Sequence, residues 1–565
     1  RLTDVTGVQT CALPISKKAL DEALLKAGVR FLTGAYARDV LEDAAGRPAG
    51  VVISDRSGSQ AVRAKVVIDA TDRGHIARAA GAGFAPFPAG TCTFSRVVIA
   101  GEEPKGVRVV RHEGWSAGKD LVQLKYPESL VPAMLECEFD VAMPDGSARS
   151  FAEAAQVARD RTFVAKQLDG ADLLHFIPPD HVNAASPLRG EWPGAERLDL
   201  GALRPAGVEA VYVLGAMADV PRKAAEELIR AANAILLGAR VGRQAAVDAA
   251  KRTPAGDVRL RARAETGSKT ADIREVRGTM TQPYVGASGE VDCGANALPV
   301  LAEADVVVVG GGTTGAPAAI GAVQNGLRTI LIEQIFELGG VQTAGLICGY
   351  YYGNVRGFTR EIDEGVAATG RVKAQAKAEW YRAAIRRGGG ETWFGSMAVG
   401  AVMEGPKLRG VVVVLPDGQR GVVLAQAVID ASGNADIAAA AGEPTEFYEP
   451  GELIGQGVGQ AVVRLGSSSH NNDYAMVDDT DASDLCFFAL RARSMTEGGW
   501  DVSPIVNSRE RRRLVGVVRM TALDYLTGRT WPDTIVQHRS RFDLHGNPSG
   551  DFFHTKNIRT TNHVT

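Results

Sequence analysis

Unbroken apolar runs and helical stripes alternate along this chain. Val306 to Val309 are four consecutive valines, the pattern of a strand buried on both faces, and Arg328 to Ile332 reads as a second strand. The residues from Ala316 lie between them as a helix, with Pro317 in its first turn, where a missing N–H costs little. Lys17 to Gly28 sets Leu20, Ala23 and Leu24 on one helical face, and Arg222 to Ala250 reads as one long alanine-rich helix. Strands alternating with helices predict an α/β fold built on a parallel sheet.

The pattern also repeats. A helical stretch, short strand-like runs and KVVIDATDRGHIARAAG near the start return later as AKAEWYRAAIRRGGG, a set of strands and AVIDASGNADIAAAAG. Gly34 matches Gly395, Ile68-Asp69-Ala70 matches Ile429-Asp430-Ala431, and Ala80-Gly81 matches Ala441-Gly442, all at one offset. Register held over that distance predicts an internal duplication of a whole domain, not a short-period solenoid. The organisation expected is a first copy over 16–250, a connection over 251–300 with weak periodicity, and a second copy over 301–565.

The candidate chemistry begins where the valine strand ends. Gly310, Gly312 and Gly315 fall in the spacing G-x-G-x-x-G. The first glycine permits a tight turn, the second lets backbone approach a pyrophosphate, and the third lets the helix pack close to the sheet. With Thr313 and Thr314, the loop presents free helix N–H groups to phosphate. Glu333 closes the next strand, where a carboxylate accepts hydrogen bonds from ribose hydroxyls. These features predict dinucleotide binding, and by themselves they do not separate FAD from NAD.

The residues that follow resemble a known family. Gly339-Gly340, Thr343 and Gly345, then YYYGNVRGFTREID, resemble FAD-dependent oxidoreductases of the two-dinucleotide-binding-domain superfamily, within the glutathione-reductase-like fold. The resemblance implies FAD as cofactor, with Gly339 and Gly340 near the flavin end. It also implies a Rossmann-like FAD-binding domain with a β-rich substrate-facing region. In that family the I-D-A-[ST]-G stretch returns beside the cofactor. The second copy keeps Ala431, Ser432 and Gly433, whereas the first has Asp72 in place of the glycine, a charge unfavourable beside a pyrophosphate.

In the last region, RERRRLVG from Arg509 to Gly516, then Asp524, GRTWPDTI and FDLHG, resembles the family's substrate-facing part. The pattern puts Arg509, Glu510, Arg512 and Arg513 on a helix, with Arg512 and Arg513 as candidates to meet a carboxylate or an anionic flavin. Without the family, the same run reads as a solvated face. Asp543 and His545 alternate on a strand-like stretch and so share a face, a plausible acid–base pair or a surface pair. The expected activity is hydride transfer between a small organic substrate and flavin. A nicotinamide-dependent dehydrogenase and a non-catalytic fragment are the alternatives.

Composition changes this picture little. The 565 residues carry 63 basic and 66 acidic side chains, a net charge of -3 that gives no reason to expect nucleic acid or an anionic membrane as partner. Val5 to Ile15, VTGVQTCALPI, is what a common sequencing adapter gives when translated. The natural N-terminus is then expected to be missing together with any targeting signal, which leaves a cytoplasmic location as the default. Without Cys11, the cysteines at 92, 137, 293, 348 and 486 are scattered and form no C-x-x-C, so no disulfide framework or metal site is expected. The first copy lacks a glycine loop and the second stops before a closing strand and helix. A composite site, with the first copy's helix completing the second copy's loop, is the hypothesis those complementary losses suggest.

Overall fold

The computed structural model describes residues 13–55, 57–112, 132–165, 167–261, 271–276, 289, 291, 293, 297–349, 356–369, 373–447, 462–463, 482–495, 501–502, 512–518, 522–533, 537–538 and 563–564. It opens with α1 (Leu13–Lys26) and an antiparallel meander, β1 (Tyr36–Glu42), β2 (Pro48–Asp55) and β3 (Gly58–Arg63), followed by β4 (Val67–Asp69) and α2 (His75–Ala79). A second antiparallel sheet holds β5 (Gly90–Ala100), β6 (Arg108–Arg111), β7 (Ala133–Met143) and, after α3 (Ala148–Thr162), β8 (Gln167–Gly170). Ser147 caps α3 by accepting the Ser150 N–H. β9 (Val211–Val213) then pairs in parallel with β4.

Two expectations are corrected in the next stretch. Arg222 to Ala250 is not one helix but α4 (Arg222–Leu228) and α5 (Ala231–Ala250). Arg230 between them is extended (φ -60, ψ 133), and the Asn233 side chain donates to the Glu227 carbonyl at 2.8 Å, which supplies a partner where α4 ends. The expected connection also contributes strands. β10 (Arg259–Leu260) pairs with β1, and β11 (Asp272–Glu275) joins the sheet of the second region. Isolated two- to four-residue strands carry too little periodicity to be seen without their partners.

The second region runs β12 (Val300–Val309), α6 (Gly315–Gln324), β13 (Thr329–Glu333), α7 (Phe358–Thr369), α8 (Lys373–Arg387) and β14 (Glu391–Phe394). A meander follows, β15 (Met397–Glu404), β16 (Lys407–Val414) and β17 (Arg420–Asp430), then α9 (Asp436–Ala441) and β18 (Thr445–Phe447). The sheet has seven strands in the order β11-β15-β16-β17-β12-β13-β14. β17, β12, β13 and β14 are mutually parallel and the rest antiparallel, so the sheet is mixed, not parallel throughout.

The valine run explains why β12 is central. Val307 and Val309 pack with Ile330, Ile332 and Val411 on one face, while Val306 and Val308 pack with Ala319, Ile320 and Tyr381 on the other. Burial on both faces leaves no room for a polar alternation.

The two regions touch extensively. Gln156 of α3 donates to the Thr392 carbonyl at 3.0 Å and accepts from Arg382 at 3.0 Å, and Arg38 of β1 pairs with Glu275 at 3.1 Å. Tyr36 donates to the Gly395 carbonyl at 2.8 Å. Among the described residues, no helix is long and apolar enough to cross a membrane.

Candidate cofactor-binding site

β12 ends against a turn that only glycine can make. Gly310 has φ +87, and a Cβ there would lie 2.4 Å from the Ala431 carbonyl oxygen. At Gly315 an added Cβ would stand 1.8 Å from the Gly310 oxygen, so its absence lets α6 press against the strand end. Gly312 differs from both, because a Cβ there meets nothing within 4 Å. The middle glycine thus borders open space at the helix N-terminus.

Glu333, at the end of the neighbouring parallel strand, leans back into the loop. Its Oε2 accepts the Gly311 N–H at 2.6 Å and its Oε1 accepts the Ile335 N–H at 2.9 Å. The carboxyl is buried, and burial pushes its pKa up to about 7 against the pull of those N–H donors. The Gln334 N–H is a third backbone donor to this carboxyl.

The Gly339-Gly340 turn closes over the same loop. Gly339 N–H donates to the Gly311 carbonyl at 2.8 Å, Thr313 Oγ1 donates to the Gly339 carbonyl at 3.3 Å, and a Cβ on Gly340 would lie 3.0 Å from the Gly312 Cα. From the other side Ala431 arrives on the end of β17, its N–H donating to the Val309 carbonyl at 2.8 Å. The loop, Glu333, Gly339, Gly340 and Ala431 therefore converge.

Other candidates are brought close but are spent on the scaffold. Thr343 is fully buried and its hydroxyl donates to the Leu338 carbonyl at 2.6 Å, which holds the turn before it. Ser432 Oγ accepts the Asp436 N–H at 3.0 Å, and Gly433 takes the left-handed conformation (φ +86). Thr314 precedes α6 without a side-chain capping bond. Gly311 and Asp430 do as much as any of these. A Cβ on Gly311 would meet Leu338 at 2.5 Å, and Asp430 accepts the N–H groups of Ser432, Ile437 and Ala438 at 3.0, 2.9 and 2.9 Å. The triple glycine and the Asp of IDASG were the signals for them.

The arginine run is corrected in part. Arg512–Leu514 is a strand antiparallel to β18, with Phe447 opposite Arg512 and Thr445 opposite Leu514, and not a helix, while Arg509 and Glu510 lie outside the described residues. The period of two sends Arg512 inward, where its side chain is 5% exposed and its Nη1 donates to Asp436 Oδ1 at 2.9 Å. Arg512 thus braces the helix after the IDASG turn. Arg513 lies on the same strand, whereas Asp543 and His545 lie outside the described residues. The helices α4 and α5 have a core of their own around Leu198, Tyr212, Leu237 and Val241, apart from the clusters that hold β12.

A family model described as FAD dependent oxidoreductase matches residues 3–90 and 305–499, together half of the chain. Among solved structures, the chain is similar to THI4 of Thermovibrio ammonificans at 22% identity and TM-score 0.21, over 24% of this chain and 61% of that one. It is also similar to a geranylgeranyl bacteriochlorophyll reductase-like protein of Thermoplasma acidophilum at 22% identity and TM-score 0.20, over 25% and 42%. A third likeness is to the myxobacterial chondrochloren halogenase CndH, at 18% identity and TM-score 0.20, over 26% and 41%. The chain thus spans less than two thirds of these structures. No curated protein matches it.

Proposed function

Since the chain belongs to the FAD-dependent oxidoreductase family and its cofactor is FAD, we propose that it moves a hydride between a small organic substrate and the flavin. The observation that carries this reading is the cradle at Gly312. Backbone is packed too tightly for a side chain at Gly310 and Gly315, yet opens at the one position between them where a pyrophosphate needs room.

Bound there, FAD supplies the two-electron chemistry that no side chain has. The chain's own residues do the rest. The loop and the α6 N-terminus bind the diphosphate, Glu333 accepts the ribose hydroxyls, and Gly339 and Gly340 approach the flavin side. Arg512, through Asp436, holds the turn that carries Ala431. Arg513 and the pair Asp543–His545 are the candidates to orient substrate and hold its proton.

The tandem reading of 16–250 and 301–565 belongs to the same proposal. It is supported by matched contacts: Asp69 accepts the N–H of Thr71 and Ala77, as Asp430 accepts those of Ser432 and Ala438 at the corresponding positions.

The test is the visible absorption spectrum of the purified chain before and after Gly312→Asp. That change fits sterically and puts a carboxylate where the pyrophosphate lies. Flavin bands in the parent and their loss in a folded variant are expected. A variant that keeps its flavin would sink the assignment.

A further inference from the structure

The two regions enclose a polar cavity of about 80 Å³ that lies outside the glycine loop. Arg96 of β5, Arg159 of α3, and Gln167 and Gly170 of β8 line it from one region, and Glu337 and Arg382 from the other. Arg96 is 6% exposed, and its Nε donates to the Ala171 carbonyl and its Nη1 to Thr162 Oγ1, each at 2.9 Å. Its Nη2 has no acceptor among the described residues. Arg159 is 5% exposed and donates to the carbonyls of Ala155, Phe336 and Asp172 at 3.2 to 3.4 Å. Neither guanidinium makes an ion pair with a described residue. Burial, together with the charge of Arg96, brings the Arg159 pKa down to about 9, which leaves it charged at pH 7.

Gln167 adds a second unused donor. It is 5% exposed, and neither its Nε2 nor its Oε1 has a partner among the described residues. Gly170 keeps the space in front of both donors open, because a Cβ there would stand 2.7 Å from Arg96 Nη2 and 2.9 Å from Gln167 Nε2. Polar groups this deep that go without a partner are costly. One ligand that accepts hydrogen bonds between the two answers both.

The acidic groups around the cavity are engaged elsewhere. Arg382 is held by Glu379 and by Asp160, the latter at 2.7 Å. Asp169 accepts the Gly170 N–H at 2.8 Å, and neither it nor Asp172 is without a partner. Burial pushes Glu337 up to about 8, so it is mostly neutral at pH 7. The groups whose attraction is unused are therefore the guanidinium groups of Arg96 and Arg159 and the Gln167 amide, a set that calls for negative charge. Size narrows the choice further. A cavity of about 150 Å³ takes the six carbons of benzene, so this one takes roughly three heavy atoms.

We propose that this cavity binds a monovalent anion of the size and shape of formate, which accepts from Arg96 Nη2 and Gln167 Nε2 and meets the positive charge of Arg159. The walls come from both regions, so the ligand joins them.

Isothermal titration calorimetry of the full chain with formate, propionate and methylammonium tests this, the ionic strength being held with gluconate, which is too large to enter. Formate is expected to bind about tenfold more tightly than the longer propionate. Methylammonium, which the acidic residues would favour, should not bind. Gly170→Ala should abolish formate binding with circular dichroism unchanged, since the atoms its Cβ meets are the tips of flexible side chains. If that variant fails to fold, the near-isosteric Gln167→Glu decides, because a carboxylate beside Arg96 should displace formate. Gly312→Asp should leave formate binding as it is, which separates this cavity from the glycine loop. The proposal is overturned by a parent that does not bind formate, by propionate or methylammonium bound as tightly, by a folded Gly170→Ala or Gln167→Glu that binds as the parent does, or by loss of binding in Gly312→Asp.

Discussion

After β4, Asp69 accepts backbone N–H groups from Thr71 and Ala77, and Thr71 Oγ1 accepts the N–H of His75 at 2.9 Å. After β17, Asp430 and Ser432 repeat these bonds to Ser432, Ala438 and Asp436. Both turns reach a left-handed residue before their helix, Gly74 at φ +60 and Ala435 at φ +51, and both end on a left-handed glycine, Gly81 or Gly442. They part at one residue. Gly433 is left-handed, while Asp72 is not among the non-glycine residues with positive φ.

Their neighbours differ more than they do. Val67 donates to Ala210 and Asp69 accepts from Leu214, so β4 pairs β9 through its residues 67 and 69. β17 turns the N–H of Ala431 to β12, which by the alternation of a strand is the opposite edge. Each strand thus has the neighbour that the other lacks among the described residues. The lesson is that the IDA turn is a self-sufficient scaffold, and that the proposed cofactor site depends on the strand and glycine loop set beside it.

The largest effect expected is from Gly315→Ala. A Cβ 1.8 Å from the Gly310 oxygen forces α6 off the strand. No flavin should be retained in the absorbance spectrum. Among the described residues the β4 turn has no such loop beside it, so a Gly315 variant that kept full flavin would remove the contrast between the two turns.

Next come Asp69→Ala and Asp430→Ala. Each strips acceptors from two or three backbone N–H groups, at about 1 to 3 kcal/mol per group, so each should lower the unfolding free energy in urea by about 4 kcal/mol. Only Asp430→Ala should also weaken FAD. Equal flavin affinity in the two variants would mean that both turns, or neither, meet the cofactor.

Glu333 gives a pH signature beside the glycine loop. Its carboxyl is raised from 4.5 to about 7 in the folded chain. Below pH 4.5 both states are protonated and its contribution to stability is complete. As pH rises to about 7 the unfolded chain ionises first, and stability falls by about 3 kcal/mol, then stays level. Burial also raises Glu337, to about 8, which adds a decline of the same sign, so melts of flavin-free protein from pH 4.5 to 8 should fall by more than the Glu333 share, and Glu333→Gln should make the fall shallower by about 3 kcal/mol. FAD affinity should move the other way, because ribose hydroxyls favour the ionised carboxylate. An affinity independent of pH would detach Glu333 from the ribose.

Much of this was legible in advance where local chemistry dictates geometry. The four valines, G-x-G-x-x-G and Glu333 define strand, turn and acceptor within one strand-helix-strand unit, and no distant partner is needed to read them. Arg512 was misread because charge spacing alone cannot distinguish a helix face from a short strand whose partner, β18, lies more than sixty residues earlier in the chain. The break at Arg230 and the strands β10 and β11 were hidden for the same reason. The cavity was invisible to the sequence, since Arg96, Gln167 and Glu337 meet only when the regions pack.

The smallest effect separates the two turns most finely. Ala435 holds φ +51, where a Cβ crowds the following carbonyl at a cost of about 1 kcal/mol. Gly74 meets the same demand without a Cβ, and one added there would lie 3.1 Å from the Phe84 ring. Ala435→Gly should therefore stabilise the chain by somewhat under ~1 kcal/mol, since glycine's greater freedom when unfolded offsets part of the relief. Gly74→Ala should destabilise it by more than ~1 kcal/mol, strain and the Phe84 contact acting together. Urea melts of both variants decide the point. Opposite signs mean that the two turns share one backbone demand met by different residues, and the same sign in both would mean that the left-handed position is set by its surroundings and not by the turn.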